Sequence, residues 1–235
     1  MKIICIEGNY TSTIQVCKKK QTQMLSITDS KSLPQCGTNK ESVYFNKEKK
    51  KDNCAEPVFF LKPETSILRN KQPFFIPDHT QKVIPRVNIV LKICRLGKNI
   101  QEKFAHLYYD EIGIGVDMEA ADVIERCMEN GLPWETAKAY DSSSPLGYFI
   151  PKNEFEDISN ISFSLWRNSK ILTRTNTSDM IYSFDEIIAY VSKYVMLKTG
   201  DYIFTGSPET NESVDTNDHI ECFIRDNKTL FFNVK

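Results

Sequence analysis

No stretch of this 235-residue chain approaches the roughly 20 consecutive apolar residues of a membrane-spanning helix, so no membrane partner is expected. An excess of one charge is missing too. Lys and Arg total 30 against 31 Asp and Glu, a formal net charge of -1. That balance speaks against a strongly basic nucleic-acid binder and against an acidic tail protein. Cysteines are not paired along the chain: the 7 of them stand singly at Cys5, Cys17, Cys36, Cys54, Cys94, Cys127 and Cys222. Without a Cys-x-x-Cys spacing a structural zinc site has no support. The first segment, Met1-Lys2-Ile3-Ile4-Cys5-Ile6-Glu7, is too short and too charged for a signal-peptide core. With the odd cysteine count, this leads us to expect a reducing cytoplasm. Disorder throughout is excluded by what is present, 40% hydrophobic and 11% aromatic residues.

Composition shifts sharply once along the chain. Residues 18–53 are rich in Lys, Ser, Thr, Gln and Asn, with Lys18-Lys19-Lys20 near one end and lysines from 47 to 51 near the other. We expect a polar, mobile insertion or flap within a single domain spanning 1–235. A nucleic-acid arm is the sharper alternative. It is disfavoured by the neutral chain and by the lack of interleaved aromatics beyond Tyr44 and Phe45. Buried strands are expected at 3–6, 58–61, 87–94 and 112–116, and further strands at 161–167, 202–205, 220–224 and 230–234. Two helices are expected. The first follows Asp117 as N-cap and runs from 119 to 130, with Gly131 as its left-handed stop and Pro133 beyond. The second opens on the capping box Ser183-Phe184-Asp185-Glu186.

Several segments in order carry a resemblance. They are Gly8-Asn9-Tyr10, Phe60-Leu61-Lys62-Pro63, Val116-Asp117-Met118 leading to Asp122, and Gly131-Leu132-Pro133-Trp134 with Ala137-Lys138. Ser144-Pro145 and Gly200-Asp201-Tyr202-Ile203-Phe204-Thr205-Gly206-Ser207-Pro208 follow. Together they resemble the fumarylacetoacetate hydrolase family, most closely its small acylpyruvate hydrolase and oxaloacetate decarboxylase members. The resemblance implies a β-rich mixed α/β fold of rolled sheets around a pocket, with a few peripheral helices, and a homodimer. It implies chemistry on small 2-keto acids: hydrolysis of a C–C bond, decarboxylation or isomerisation. It also implies Mg or Mn held by three carboxylates, two from a Glu-x-Glu pair on a strand and one from an Asp.

The copy departs from that pattern at the chemistry. The Glu-x-Glu positions fall on Arg86 and Asn88, and the third ligand position is retained as Asp117. Three carboxylates become a guanidinium, an amide and one carboxylate, so the charge that would hold a divalent ion is gone. The family's Thr and Arg after the Asp become Glu119 and Ala121, and its catalytic His and Glu become Thr13 and Val16. The metal is therefore expected to be absent or weakly bound, and the protein impaired or non-catalytic. We expect Arg86 to fill the vacated space and pair with Asp117. The alternative is an active enzyme whose metal site is rebuilt from Asp117, Glu119 or Glu7.

Lys138 stands where the family's oxyanion-holding lysine lies, so it is the candidate catalytic residue; an ordinary lysine after a helix is the plainer reading. Tyr10, Lys62, Thr205 and Gly206 are the candidate substrate-binding residues by the same resemblance. Asp117 has a reason to persist without any metal, as a helix cap. His79, His106 and His219 match no family position and are expected on the surface. Residues 142–144 lack a Gly-x-Ser-x-Gly elbow and a neighbouring His, so serine-hydrolase chemistry has no support.

Overall fold

The computed structural model describes residues 1–10 and 56–235. The expectation for the polar stretch 18–53 lies outside the described residues, as do positions 13 and 16. The strands are β1 (Lys2–Glu7), β2 (Val58–Pro63), β3 (Ile67–Arg69), β4 (Val83–Ile93), β5 (Tyr109–Ala120) and β6 (Ser144–Pro151). They continue with β7 (Ser162–Arg167), β8 (Lys170–Asn176), β9 (Tyr202–Phe204), β10 (His219–Ile224) and β11 (Asn227–Asn233). Among the described residues four α-helical segments accompany them: α1 (Glu102–Ala105), α2 (Ala121–Asn130), α3 (Glu135–Lys138) and α4 (Phe184–Tyr194). Among the described residues this is a β-rich mixed α/β fold. A seven-stranded sheet in the order β2-β1-β9-β4-β5-β6-β3 packs with a four-stranded one in the order β11-β10-β7-β8.

The central pair is β4 with β5. They run antiparallel from Val83 opposite Ala120 to Ile93 opposite Tyr109. β4 is β-branched and buried along most of its length, as expected for an inner strand covered on both faces. Gly115 sits opposite Asn88. A Cβ there would meet the Phe204 ring at 2.7 Å and Val90 at 2.9 Å, so only glycine lets β9 lie this close. The main core lies between the sheets and includes Ile89, Leu91, Ile114, Val116, Phe163 and Leu165. β1 pairs with β2 antiparallel, Glu7 opposite Val58, and with β9 in parallel.

Both expected helices form. α4 carries the capping box: Glu186 N–H donates to the Ser183 hydroxyl, and the Glu186 carboxylate accepts from Ser183 N–H at 2.7 Å. α2 ends on Gly131 in the left-handed region, φ 64°, and Leu132 N–H returns to Cys127 O at 2.8 Å. Its start differs from the expectation. Helix residues begin at Ala121, Ala120 at the cap position makes no side-chain cap bond, and Asp117 lies inside β5. Asp117 is therefore not an N-cap. The ladder to β4 holds the strand through Ala120, and Ala121 N–H still donates to Lys82 O at 2.8 Å. Asp122 serves the helix entry instead, accepting from Gln81 N–H at 2.8 Å and from its own helix at Val123 N–H. No helix among the described residues is long and apolar enough to cross a membrane.

Candidate functional site

The continued strand decides which side chains meet. Alternation along β5 puts Asp117 and Glu119 on one face, and alternation along β4 puts Arg86 and Asn88 on the facing side of the same ladder. Arg86 lies directly opposite Asp117, and Glu119 is its diagonal neighbour. Lys62, at the end of β2, and Lys138, at the end of α3, reach the same spot from outside that ladder.

Lys62 Nζ donates to Asp117 at 2.6 Å and to the hydroxyl and carbonyl of Ser143 at 3.1 and 3.2 Å. Lys138 Nζ contacts Glu119 at 2.5 Å, Asp117 at 3.1 Å and Glu7 at 3.3 Å. Arg86 grips Glu119 in a fork, Nε to one oxygen at 3.1 Å and Nη2 to the other at 2.8 Å. Three carboxylates thus meet three cations, and the formal charges cancel. The Lys62 and Lys138 side chains are at most 1% exposed, and those of Asp117 and Glu119 are 6 and 7%.

The expected pair between Arg86 and Asp117 is not formed. Asp117 already has one lysine on each oxygen, so the guanidinium turns to the diagonal carboxylate, where both of its parallel N–H groups find acceptors. Asn88 is engaged at both ends as well. Its Nδ2 donates to Arg86 O at 2.9 Å, and its Oδ1 accepts from Gly206 N–H at 2.9 Å.

The remaining candidates divide. Gly206, φ 106°, packs on Asn9, whose Cβ would lie 2.6 Å from any Cβ added there. Thr205 is buried, its hydroxyl donating to Ile89 O at 3.0 Å. Tyr10 is buried in the core, edge-on to Phe163. Neither Thr205 nor Tyr10 lines the cavity at the cluster. That cavity is about 10 Å³, room for about one water, and its walls include Cys5, Glu7, Arg86, Asn88, Asp117 and Ser207. A larger cavity of about 300 Å³ lies beside the start of α4, and none of the site residues expected from the sequence lines it. Sequence reasoning passed over two positioning residues. Ser143 accepts from Lys62. Asn9 staples three segments, its side chain donating to Thr205 O at 2.7 Å and Tyr182 O at 3.2 Å and accepting from Tyr182 N–H. Asn9 was visible as part of a family segment; Ser143 carried no signal beyond its serine run.

Burial opposes the charges of Asp117, Glu119 and Lys138, and the partners overrule it. It would raise the Asp117 and Glu119 carboxyls, yet Lys138 with Lys62, and Lys138 with Arg86, hold them below the usual carboxylate range. Burial would lower the Lys138 ammonium, yet Asp117, Glu119 and Glu7 raise it well above the lysine range. A carboxylate whose pKa is lower folded than unfolded contributes stability above its unfolded value, about pH 4, and loses it as the pH falls through the folded value. Lys138 contributes below its unfolded value, about pH 10, and loses it as the pH rises further. Urea midpoints should therefore hold steady between these limits and fall below about pH 4. Glu119→Gln should flatten the acid limb; an equally steep limb would show that the cluster does not drive it.

With this geometry in view, comparison with known proteins is informative. The model of the fumarylacetoacetate (FAA) hydrolase C-terminal family matches residues 2–234. The chain belongs to the fumarylacetoacetate hydrolase family. Within that family it is 35% identical, over 80% of this chain and 86% of the relative, to a protein of Mus musculus named mitochondrial oxaloacetate tautomerase. It is 37% identical to an oxaloacetate tautomerase of Escherichia coli, over 66% of this chain and 71% of the relative. The fold matches that of fumarylpyruvate hydrolase from Pseudomonas aeruginosa, solved in complex with Mn²⁺ and pyruvate. The TM-score is 0.81 at 23% identity, covering 100% of this chain and 89% of the other. The family's fold, expected from the sequence, is thus the fold of this chain.

Proposed function

We propose that this chain is a fumarylacetoacetate hydrolase family member that no longer works through a divalent metal and is impaired or non-catalytic in the family's keto-acid chemistry. The observation that carries the reading is the Arg86 guanidinium, clamped by Glu119 at a position where the family resemblance calls for a metal-binding carboxylate. The side chains present do not fit Mg²⁺ or Mn²⁺. Asn88 has committed both ends of its amide, and Asp117 has a lysine on each oxygen. Among the described residues, no three His, Cys, Asp or Glu side chains are grouped to hold a metal ion.

The second reading, a metal site rebuilt from Glu7, Asp117 and Glu119, has one observation in its favour: those three acids do converge. They converge on the Lys138 ammonium, however, so an ion would have to displace a buried cation. The names of the relatives support a small 2-keto acid such as oxaloacetate as the ancestral substrate class. The match over 2–234 supports a single domain across 1–235. A homodimer rests on the resemblance alone. A reducing compartment such as the cytoplasm is supported by the free Cys5, Cys94, Cys127 and Cys222.

The test is calorimetric titration of the protein with Mn²⁺, beside an assay of oxaloacetate tautomerisation and decarboxylation with Mn²⁺ present. Neither stoichiometric binding nor turnover above the metal-only rate is expected. Tight binding of one Mn²⁺ per chain would overturn the reading, and turnover with it would establish the rebuilt site.

A further inference from the structure

We propose that Glu119 is the built-in occupant of a carboxylate-binding site formed by Arg86 and Lys138, and that a small monocarboxylate takes this site when Glu119 is removed. The inference rests on the metal-free reading above. Glu119 receives two parallel guanidinium N–H groups, at 3.1 and 2.8 Å, and one ammonium, at 2.5 Å. That is the donor set proteins use for a free carboxylate. Here the acceptor is tethered to β5, and its side chain is 7% exposed.

The ammonium does not depend on Glu119 alone for its position, and the backbone that carries the guanidinium is fixed independently of it. Lys138 is held by Asp117 and Glu7 as well. Arg86 is anchored in the β4 ladder, its carbonyl taken by Asn88. With the Glu119 carboxylate gone, two guanidinium N–H groups and one ammonium lose the acceptor they share in a buried place, and Arg86 keeps only the longer-range attraction of Glu7 and Glu209. Leaving a buried charge unpaired is costly, so an anion of the right shape is drawn in. The excised side chain leaves room for about an acetate or propionate next to a cavity that Arg86 already lines. Glu7 and Glu209 line the same cavity and oppose a second negative charge, which favours a monoanion over a dianion. In the native chain the site is filled from within, so no free carboxylate competes for it.

The experiment titrates acetate, then oxalate, into the wild type, Glu119→Ala and Glu119→Thr, with chelator present and chloride balancing the ionic strength. Calorimetry and thermal unfolding are both read. Both variants should bind one acetate, at least about ten-fold more tightly than the wild type, and gain melting temperature with it. Adding Arg86→Met to Glu119→Ala removes the two parallel guanidinium donors and should abolish the gain. The proposal is overturned if the folded variants bind acetate no better than the wild type, or if the Arg86→Met double variant binds equally well. Failure of both variants to fold even in excess acetate also overturns it, because acetate should replace what was removed. Tighter binding of oxalate would refute the monocarboxylate class. A failure of the metal-free reading would appear instead in the separate Mn²⁺ titration of the wild type, without chelator, so the two outcomes are read apart.

Discussion

Lys138→Met should lower the unfolding free energy by about 3–5 kcal/mol, the range for stripping one partner from a buried ion cluster. For a chain of this length that is a fall in melting temperature of roughly 10 °C. The size follows from how many groups lean on one ammonium. Glu119, Asp117 and Glu7 all place an oxygen within 3.3 Å of Nζ, and the first two are buried. Methionine keeps the length and the apolar stem while removing the charge, so loss of packing is a minor part. Chemical denaturation of the variant measures the effect. A companion, Lys138→Met with Glu119→Thr, removes charges of both signs and should recover part of the loss. A single-variant loss under about 1 kcal/mol would mean that the carboxylates find other partners or take up protons, and that the cluster is not held by Lys138.

The triple variant Arg86→Glu, Asn88→Glu, Glu119→Thr should bind one Mn²⁺ per chain, at least about 100-fold more tightly than the wild type, or about 2.7 kcal/mol. Residues 86 and 88 share a face of β4, and Asp117 lies opposite residue 86, so three carboxylates then point at one volume. Glu119 has to leave with Arg86. Otherwise it would stand as a fourth acid that has lost its guanidinium, held away from the ion by Lys138. Keto-acid turnover should not return with the metal. Thr13, Val16 and Ala121 still stand where the family resemblance places a base, its partner and a guanidinium. Calorimetry with Mn²⁺ decides it: a folded triple variant that binds no better than the wild type refutes the assignment of positions 86, 88 and 117 as the ancestral ligand set.

Much of this arrangement was legible in the sequence, for reasons that can be located. The capping box at Ser183, the left-handed Gly131 and the β-branched run of β4 are local signals, written within a few residues of where they act. The family segments placed Lys62, Asp117, Lys138 and Gly206 without any geometry, and three of the four meet at the cluster. What escaped was the pairing. Arg86 was assigned to Asp117 because the charge of the lost ligands left that carboxylate in need of a partner, and the register does set the two residues opposite one another. Asp117, however, had been taken by lysines 55 and 21 residues away, a competition that no local pattern reveals. The second miss was an element boundary. Starting the helix at 119 rather than at Ala121 put Glu119 on a helical turn, where its face is uncertain. Two more residues of strand, held by the β4 ladder, fix it beside Asp117. A boundary error of that size is ordinary; here it concealed the partner of the most unusual residue in the chain.

The antiparallel match of Glu7 with Val58 bears on how this gene can grow. Adjacent strands with facing ends need only a short turn between them. To a sheet, a connection between ends so matched counts as a hairpin tip. The entropy of closing such a tip rises only with the logarithm of its length, about 0.6 kcal/mol for each doubling. Just inside it, Asn9 is stapled to Thr205 and Tyr182, which anchors the departing chain to the frame of the site. New sequence can therefore accumulate at this one point with only a small entropic penalty. The chain has a drafting margin beside its charged cluster, where new text can be written while the old stays legible.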